Sequence, residues 1–233
     1  MPIARPEDFY ATYAEYKGYA PPELKAKHIR WMDREFWVPA RCAPQHSVLE
    51  IGCGTGQFLL YLRHKGVTRM VGIDHDARAK DVMPADIARN VRIVDVWEFL
   101  KTETGPFDRI VMLDVLEHFT IPDGAALLEA IRRVLAPDGL VTVRVPNMAS
   151  PWAGQHQYAD LTHKAAYAPG GLRQLAIAAG FECVAFVDQR RGSRSRRFLE
   201  DCLHGLLSAV LTETPPLWSA NMIAVLKPTA ARR

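Results

Sequence analysis

The sequence predicts an α/β protein built on a doubly wound, mostly parallel sheet. Short runs of β-branched and aliphatic residues recur along the chain, and amphipathic helical patterns separate several of them. Parallel strands need crossover connections, which helices supply, so this alternation indicates a sheet covered on both faces. We find no internal repeat with a period of about 20 to 50 residues, which argues against solenoids and propellers.

Residues 1–40 are expected to form a helical cap that precedes the sheet. Tyrosines stand at every third position from Tyr10 to Tyr19, and a helical stretch follows at 24–37. A stripe of this kind usually packs against the protein body. Aromatic side chains also line pockets, so the alternative is that at least one of these tyrosines faces a ligand.

The main domain is expected at 41–228, followed by a short tail at 229–233. Its predicted strands cover 47–51, 70–74, 91–94, 109–113, 140–145, 183–187 and 221–226. Its predicted helices cover 57–65, 124–135 and 171–179. Two insertions, at 146–168 and 190–216, depart from the alternation, and the second carries an apolar-rich helix at 198–211.

Composition and charge narrow the class of protein. Charged residues make up 24% and apolar residues 48% of the chain, which excludes disordered, collagen-like and coiled-coil proteins. No apolar run approaches the roughly 20 residues of a membrane span, and the N-terminus lacks a signal-peptide core, so we expect a cytoplasmic protein. The four cysteines lie far apart without Cys-x-x-Cys spacing, which suggests neither a disulfide framework nor a zinc knuckle.

The net charge of +3 hides an uneven distribution. Removing seven late arginines leaves −4 for the rest of the chain, an acidic body beside a basic late segment. These arginines are Arg190, Arg191, Arg194, Arg196, Arg197, Arg232 and Arg233.

A glycine-rich turn after the first predicted strand is the strongest functional signal. The run Val48-Leu-Glu-Ile-Gly-Cys-Gly-Thr-Gly56 brings a buried strand into three glycines and then a helix. Such a turn lets backbone N–H groups approach a ligand. Asp74 ends the next strand, where a carboxylate can accept hydrogen bonds from both ribose hydroxyls. The third glycine comes one residue too early for the dinucleotide pattern Gly-x-Gly-x-x-Gly, and no pyrophosphate-binding pattern follows.

The segment Glu50-Ile-Gly-Cys-Gly-Thr-Gly56 resembles motif I of the class I S-adenosylmethionine-dependent methyltransferases. Four further landmarks of that family match in order along 42–228: Val71-Gly-Ile-Asp74, Val94-Asp95, Phe107 through His118, and Leu135-Ala-Pro-Asp-Gly-Leu140. The resemblance implies the Rossmann-like methyltransferase fold, a seven-stranded sheet whose final strand is antiparallel, with S-adenosylmethionine as cofactor.

The resemblance also implies roles for particular residues. Gly52, Cys53, Gly54 and Gly56 would form the cofactor loop, with Cys53 small and inert. Glu50 would orient that loop or the cofactor's amino group, and Asp74 would hold the ribose. The other implied contacts are His75 and Val96 beside the adenine, Asp95 on its amino group, and Leu113 and Asp114 at the methionine end.

Candidate bases for methyl transfer to a hydroxyl lie after the fourth and fifth strands. His118 follows one, and the insertion after the other offers His156, Tyr158, Asp160 and His163 within eight residues. Histidine suits proton abstraction near neutral pH, so His118 and His163 lead, ahead of His156 and Asp160. The alternative is a set of solvated or capping polar residues. A metal held by these histidines and Asp160 is also conceivable, but no ligand spacing compels one, and we predict none.

The subgroup and the acceptor are less sharply indicated. The pattern Tyr158-x-Asp-x-Thr-His163 is similar to ubiquinone-biosynthesis O-methyltransferases and to methyltransferases of bacterial glycan assembly, more closely to the latter. The arginine cluster could be a solvated loop, a phosphate-binding rim, a nucleic-acid contact or a membrane-surface anchor. We predict a positive rim and an anionic acceptor, small or glycan-type, with phosphorylated or lipid-linked molecules among the options.

The predicted function is O-methylation of such an acceptor. One alternative is a non-catalytic S-adenosylmethionine-binding module, and another is a methyltransferase acting on a quinol precursor or on RNA. Nucleic acid is the weaker reading because the body is acidic and because Asp114-Val-Leu-Glu117 stands where base-methylating enzymes carry an Asn-Pro-Pro-Tyr-like tetrapeptide. The sequence does not indicate an oligomeric state.

Overall fold

A computed structural model describes residues 5–103 and 105–229 of the chain. Seven strands form one sheet within these ranges: β1 (Val48–Ile51), β2 (Met70–Asp74), β3 (Val91–Ile93), β4 (Phe107–Leu113), β5 (Leu135–Pro146), β6 (Phe181–Asp188) and β7 (Asn221–Pro228). Their order is β3-β2-β1-β4-β5-β7-β6. The first five strands are parallel, and β7 runs antiparallel to both neighbours. The predicted doubly wound, seven-stranded fold with an antiparallel final strand is therefore confirmed.

Ten α-helices lie in the described ranges: α1 (Tyr13–Lys17), α2 (Ala26–Met32), α3 (Gln57–His64), α4 (Ala77–Asp81), α5 (Ala85–Ala88), α6 (Val96–Thr102), α7 (Ile121–Val134), α8 (Gly154–Gln157), α9 (Pro169–Ala178) and α10 (Arg194–Val210). Short 3-10 segments cover Pro6–Thr12 and Leu116–His118, and a π-helical turn covers Asp33–Trp37. None of the helices in these ranges combines the length and the apolar character needed to cross a bilayer.

Two hydrophobic clusters cover the two faces of the sheet. Along β1 and β4, successive side chains point to opposite faces, so Leu49 and Ile110 enter one cluster while Val48 and Val111 enter the other. The first cluster packs beneath α6, α7 and α9, and the second beneath α3, α4 and α5. The N-terminal region joins the second cluster through buried Phe36, whose ring meets Phe58 at 4.9 Å between centroids. This packing holds the part of the N-terminal region around Phe36 against α3.

Several element boundaries differ from the predictions. The stretch at 24–37 is an α-helix continued by a π turn rather than one helix. Leu135, predicted at the end of a helix, begins β5 and pairs with Phe107. The late helix begins at Arg194 rather than 198, because the hydroxyl of Ser193 accepts a hydrogen bond from Arg196 N at 3.2 Å and caps the N-terminus. Three of the clustered arginines therefore belong to a helix, while Arg232 and Arg233 lie outside the described residues.

The strand order reverses between β1 and β4. To one side the chain runs β1, β2, β3, and to the other β4, β5, β7, β6. Ile51 pairs with Ile73 on one neighbour and with Met112 on the other, so the carboxyl ends of the three strands are level. Diverging loops at such a reversal leave a crevice at the carboxyl edge of a sheet. The candidate site lies there.

Candidate functional site

A cavity of about 790 Å³ occupies the carboxyl edge of β1, β2 and β4. This volume lies within the range of small-molecule sites. Its floor comes from the loops after those strands, and one side is closed by residues 10–23, the N-terminal cover. The lining includes Tyr10, Tyr13, Lys17, Tyr19, Gly52, Gly54, Asp74, His75, Asp95, Val96, Leu113, Asp114, Val115 and His118.

The glycine loop (residues 52–56) is shaped to bring backbone against the cavity. Gly52 and Gly54 have φ values of +71° and +48° and line the cavity. A Cβ on Gly52 would lie 2.5 Å from a methyl group of Val115, whereas a Cβ on Gly54 would meet no atom within 4 Å. The loop therefore leaves open space on its cavity side. This space fits the cofactor that the resemblance implies.

The other two loop residues have packing positions. Cys53 is buried and does not line the cavity, and burial raises the pKa of its thiol, which keeps it in the unreactive thiol form. Gly56 lies at the start of α3 with φ +83°, and a Cβ there would approach Ile87 to 2.9 Å.

Asp74 joins the end of β2 to the glycine loop. One carboxylate oxygen accepts from Gly54 N at 2.8 Å, and the other accepts from Asp76 N at 2.9 Å. Each oxygen retains a lone pair that a ribose hydroxyl could use. His75 is exposed beside the cavity, and its ring meets Tyr10 edge-on at 5.0 Å.

Glu50 lies behind the glycine loop and is completely enclosed. Its Oε2 is buried and has no hydrogen-bond partner among the described residues. Desolvation, reinforced by the charge of Asp74, raises the pKa of Glu50 well above its usual value. Burial therefore favours the uncharged carboxyl, and an incoming N–H donor or cation would give the buried Oε2 a partner.

Asp95 and Val96 line the far end of the cavity. One oxygen of Asp95 caps α6 by accepting from Trp97 N at 2.8 Å. Its second oxygen carries no hydrogen bond to the described chain and is the one available to a ligand. Leu113 borders the opposite end.

Asp114 adopts a left-handed backbone with φ +60° and forms a bidentate pair with Arg144 at 2.8 and 2.5 Å. Although burial alone would raise the pKa of Asp114, the guanidinium outweighs it and holds that pKa low. Arg144 also lies 3.7 Å from Glu35, which in turn accepts from Arg191 at 3.0 Å. A charged network therefore runs from the cavity wall to the arginine segment (residues 190–197).

His118 stands in the cavity lining with a fixed ring. Its Nδ1 lies 2.9 Å from the hydroxyl of Thr162, and that hydroxyl donates its single proton to Asp160 at 2.5 Å. Thr162 can therefore only accept from Nδ1, and the hydroxyl of Tyr10, 3.2 Å from the same nitrogen, can accept a share of that proton. Both contacts are satisfied when Nδ1 carries the proton, which leaves Nε2 as the basic nitrogen. Desolvation, strengthened by the neighbouring His163, lowers the pKa of His118 to about 4.

Asp160 lies behind His118 and is buried. It accepts from Lys17 at 2.9 Å and from Tyr13 at 3.2 Å, in addition to the backbone N–H and hydroxyl of Thr162. Burial by itself would raise the pKa of Asp160, but the bonds from Thr162 and Lys17 hold it below its usual range. The residue is thus an anionic anchor.

The remaining two histidines have different surroundings. His163 donates from Nδ1 to Gln157 O at 2.9 Å and packs its ring against His118 at 4.7 Å, outside the cavity lining. His156 is exposed and also lies outside that lining. The structure therefore brings His118, His163 and Asp160 together and leaves His156 apart.

One cluster in the described chain could hold a metal ion. Ligand atoms of Glu117, His118 and His163 lie within 4.8 Å of one another. The buried carboxyl of Glu117 makes no side-chain hydrogen bond to the described residues, and desolvation, together with Asp114, raises its pKa. Glu117 was not among the predicted site residues, although its place beside His118 was a signal.

The N-terminal cover also contributes site residues that sequence reasoning left open. Tyr10, Tyr13 and Tyr19 line the cavity, whereas Tyr16 is 56% exposed and donates to Ala159 O at 2.7 Å. Spacing by three keeps side chains on one face of a 3-10 segment but rotates them by about 60° per step around an α-helix. The segment changes from 3-10 to α-helical at Tyr13, so the stripe could not indicate which rings face inward.

The arginine segment is not a rim of the cavity, contrary to the expectation. None of its five arginines belongs to the cavity lining in the described chain. Arg190 forms an ion pair with Asp201, and Arg191 is held by Glu35 and stacks on Trp31 at 4.1 Å. Arg194 and Arg196 are exposed, with no ion pair to a described residue.

Comparison with known proteins gives concordant results. A family model for the methyltransferase domain matches residues 16–185. The ribosomal protein L11 methyltransferase of Thermotoga maritima is 29% identical over 126 residues, which cover 51% of this chain and 46% of that protein. The ubiquinone biosynthesis O-methyltransferase of Thiobacillus denitrificans is 28% identical over 125 residues, 51% of this chain and 50% of that protein. The chain thus spans about half the length of these curated relatives.

Solved structures share the fold along nearly the whole chain. A SAM dependent methyltransferase from Archaeoglobus fulgidus superposes with a TM-score of 0.66 at 19% identity, covering 94% of this chain and 100% of that one. The DhpI–SAH complex gives a TM-score of 0.58 at 16% identity, covering 98% and 96%.

Proposed function

The chain belongs to the class I S-adenosylmethionine-dependent methyltransferases, and from that membership we propose that it methylates a hydroxyl group of a small or glycan-type, anionic acceptor. The observation that carries the proposal is the oriented His118 at the cavity wall, backed by Thr162 and Asp160. When bound, S-adenosylmethionine supplies an electrophilic methyl group. Gly52, Gly54 and Asp74 would hold it, and Asp95 would hold the adenine end.

His118 would act as the general base. Its Nε2 accepts the proton of the acceptor hydroxyl as the new bond forms, while Nδ1–H stays bonded to Thr162. Asp160 stabilises the imidazolium that results, through the hydroxyl of Thr162. His163 packs against the ring and limits its rotation, which makes it a positioning residue.

Replacement of His118 tests this assignment. We expect His118→Ala to lower kcat by roughly 100-fold or more, the usual contribution of a positioned base, and to leave affinity for S-adenosylhomocysteine unchanged in calorimetry. His64→Ala, on the exposed end of α3, is the matched control. Cofactor binding by the wild type without turnover of any acceptor would instead favour a non-catalytic cofactor-binding module. Binding of nicotinamide dinucleotides in place of S-adenosylhomocysteine would refute the family-level proposal.

The pH profile gives a second test. Because the pKa of His118 is lowered to about 4, its base form dominates throughout the neutral range. We expect kcat/KM to stay flat from about pH 8 down to about pH 5 and to fall below that. A fall centred near the ordinary imidazole value of about 6.5 would argue against His118.

The proposed acceptor class is supported by charged residues outside the cavity and by one relative of the chain. The cationic arginine segment connects to the cavity wall through Glu35 and Arg144, and the relatives include an O-methyltransferase of ubiquinone biosynthesis. A screen with labelled methyl donor should compare sugar nucleotides, phosphorylated glycans, quinol precursors and RNA.

The charge of the acceptor can be tested separately. Arg194→Ser with Arg196→Ser should raise KM for a charged soluble acceptor at low salt, and Arg133→Ser on α7 should not. An unchanged KM would remove the anionic part of the proposal. If only ribosomal protein or RNA were methylated, a macromolecular acceptor would replace the proposed small or glycan-type one.

A further inference from the structure

Helix α10 is the one long helix of the described chain that has no buried residue. It spans 17 residues between β6 and β7, and every side chain on it is at least partly exposed. A helix on a protein surface normally turns an apolar stripe to the core, and that packing supplies most of its stability. Helix α10 therefore lacks the buried apolar stripe that usually stabilises a surface helix.

The side of α10 that contacts the protein is mostly polar. His204 stacks on Trp218 with 4.8 Å between ring centroids, and Ser208 accepts from the indole N–H of Trp218 at 3.2 Å. Asp201 pairs with Arg190. These contacts fix the rotation of the helix about its axis.

The opposite side is an outward apolar stripe, formed by Leu199, Leu203, Leu206 and Val210 and flanked by Phe198. Their exposed fractions run from 48% to 71%. The four stripe residues follow the spacing i, i+4, i+7 and i+11, so they lie along one face. A polar side toward the protein and an apolar stripe toward solvent is the reverse of the usual arrangement. It indicates a surface that something apolar covers.

A cationic group lies at one end of the stripe. Arg196 precedes Leu199 by three positions and continues the same face, whereas Arg194, seven positions before Asp201, begins the polar side. Arg196 is exposed and forms no ion pair with a described residue, whereas Asp201 is paired with Arg190. An apolar face with a free arginine at its end matches the chemistry of an anionic bilayer surface, where apolar side chains enter the acyl boundary and arginines meet headgroup phosphates.

A second copy of the chain fits the stripe less well. In the two-fold antiparallel pairing that superposes the two stripes, Leu199 would face Val210 and Leu203 would face Leu206. Arg196 would then lie past the end of the partner helix, where no side chain of that helix neutralises it. One stripe of about 16 Å also offers far less area than the roughly 800 Å² per partner of a stable interface. A bilayer imposes no such minimum.

We propose that α10 docks this chain on the surface of an anionic lipid bilayer. Helix α10 is connected to the candidate site, because Arg191, three residues before it, reaches Asp114 through Glu35 and Arg144. Trp152 of the loop after β5, 43% exposed, lies against His204 and extends the contact toward that loop. Docking would hold this loop near the membrane surface. The inference needs none of the proposed methyl-transfer chemistry.

Vesicle flotation of the full chain tests the proposal. At low salt we expect binding to phosphatidylcholine vesicles that contain about 30% phosphatidylglycerol, and at least about tenfold weaker binding to phosphatidylcholine alone or at high salt. Leu206→Glu with Val210→Glu should reduce binding by about tenfold or more. Ile177→Glu with Val184→Glu, at equally exposed apolar positions on α9 and β6, is the matched control and should bind as the wild type does.

Affinity for S-adenosylhomocysteine, measured on each variant, shows that folding and the cofactor site are intact. Retained cofactor affinity with lost flotation supports the docking face. Absent flotation of the wild type, or equal flotation of the Leu206→Glu, Val210→Glu variant, would overturn it. So would a wild-type dimer in light scattering that this variant converts to a monomer, since the stripe would then join two copies. Failure of cofactor binding in the wild type would contradict the proposed function and leave the docking result standing.

Discussion

At the scale of single residues, Gly52 shows how tightly the cavity floor is built. The position combines φ +71° with a Cβ site only 2.5 Å from Val115. We expect Gly52→Ala to destabilise the protein by about 1 to 3 kcal/mol and to weaken cofactor binding, because the loop must shift to relieve both strains. Urea unfolding and calorimetry with S-adenosylhomocysteine would measure the two effects. Gly170→Ala, in helix α9 where no atom lies within 4 Å and the backbone is ordinary, should leave cofactor binding unchanged and should not destabilise the protein.

Glu50 provides a pH-dependent prediction. Its raised pKa means that the folded state holds the proton more tightly than the unfolded chain does. Its contribution to stability is therefore full below about pH 4, the unfolded value, and is lost as pH rises through the folded pKa. For the cofactor-free protein, Glu50→Gln should remove this loss, so the variant gains stability relative to the wild type at high pH but not at pH 4.

Chemical unfolding at several pH values would measure the difference. Exposed Glu182→Gln is the control. A pH-independent difference between the Glu50 variant and the wild type would contradict the account.

The sequence predicted which residues surround the cavity where those residues belong to a recognisable backbone motif or to the end of a strand. Gly52, Gly54, Asp74 and Asp95 stand around one cavity because they end or follow neighbouring strands. Their roles toward the cofactor remain predictions. Arg144 and Thr162 were overlooked, because their importance comes from partners distant in the chain, Asp114 and His118, which no local pattern pairs.

At the scale of elements, the N-terminal cover is tied to the loop after β5. Lys17 reaches Asp160 at 2.9 Å, and Tyr16 donates to Ala159 O. We expect Lys17→Met to weaken S-adenosylhomocysteine binding several-fold, because the cover loosens over the cavity. The loss should be modest because Tyr13 and Thr162 still bond Asp160.

Calorimetry and amide hydrogen exchange of residues 10–23 would check this prediction. Lys25→Met removes only an exposed ion pair with Glu23 and serves as the control. Equal exchange rates in the two variants would show that the Lys17 contact does not hold the cover.

Strands were better predicted than helices at this scale. All seven predicted strands exist, because buried parallel strands read as continuous apolar runs. The short helices α4, α5 and α6 were missed, since four to seven residues are too few for a periodic stripe. The true start of α10 was missed because its prediction rested on the apolar run from 198, although Ser193 is a standard capping residue.

At the scale of the whole molecule, Arg144 links the cavity, the N-terminal region and the arginine segment. It lies between Asp114 and Glu35, and Glu35 is 7% exposed at its side chain. Arg144→Met would leave two carboxylates without their shared cation. We expect a loss of about 2 to 3 kcal/mol, below the 3 to 5 of fully buried pairs because Asp114 is half exposed to the cavity.

Urea unfolding at neutral pH would measure this loss, with Arg92→Met, an exposed pair with Glu103, as the control. A similarly small change in both variants would mean that the network contributes little to the free energy of unfolding. Sequence alone could not reveal the network, because its members come from four separate segments of the chain.

The N-terminal cover has a consequence for the order of events in turnover. It closes the cofactor cavity and, through Lys17 and Tyr13, also holds Asp160 of the loop that positions His118. Exchange of the nucleoside product past this side of the cavity would move the cover, and moving it would release the anchor of the base. We therefore expect compulsory-order kinetics in which the methyl donor enters first and S-adenosylhomocysteine leaves last. Product-inhibition patterns would then show S-adenosylhomocysteine competing with the donor and not with the acceptor.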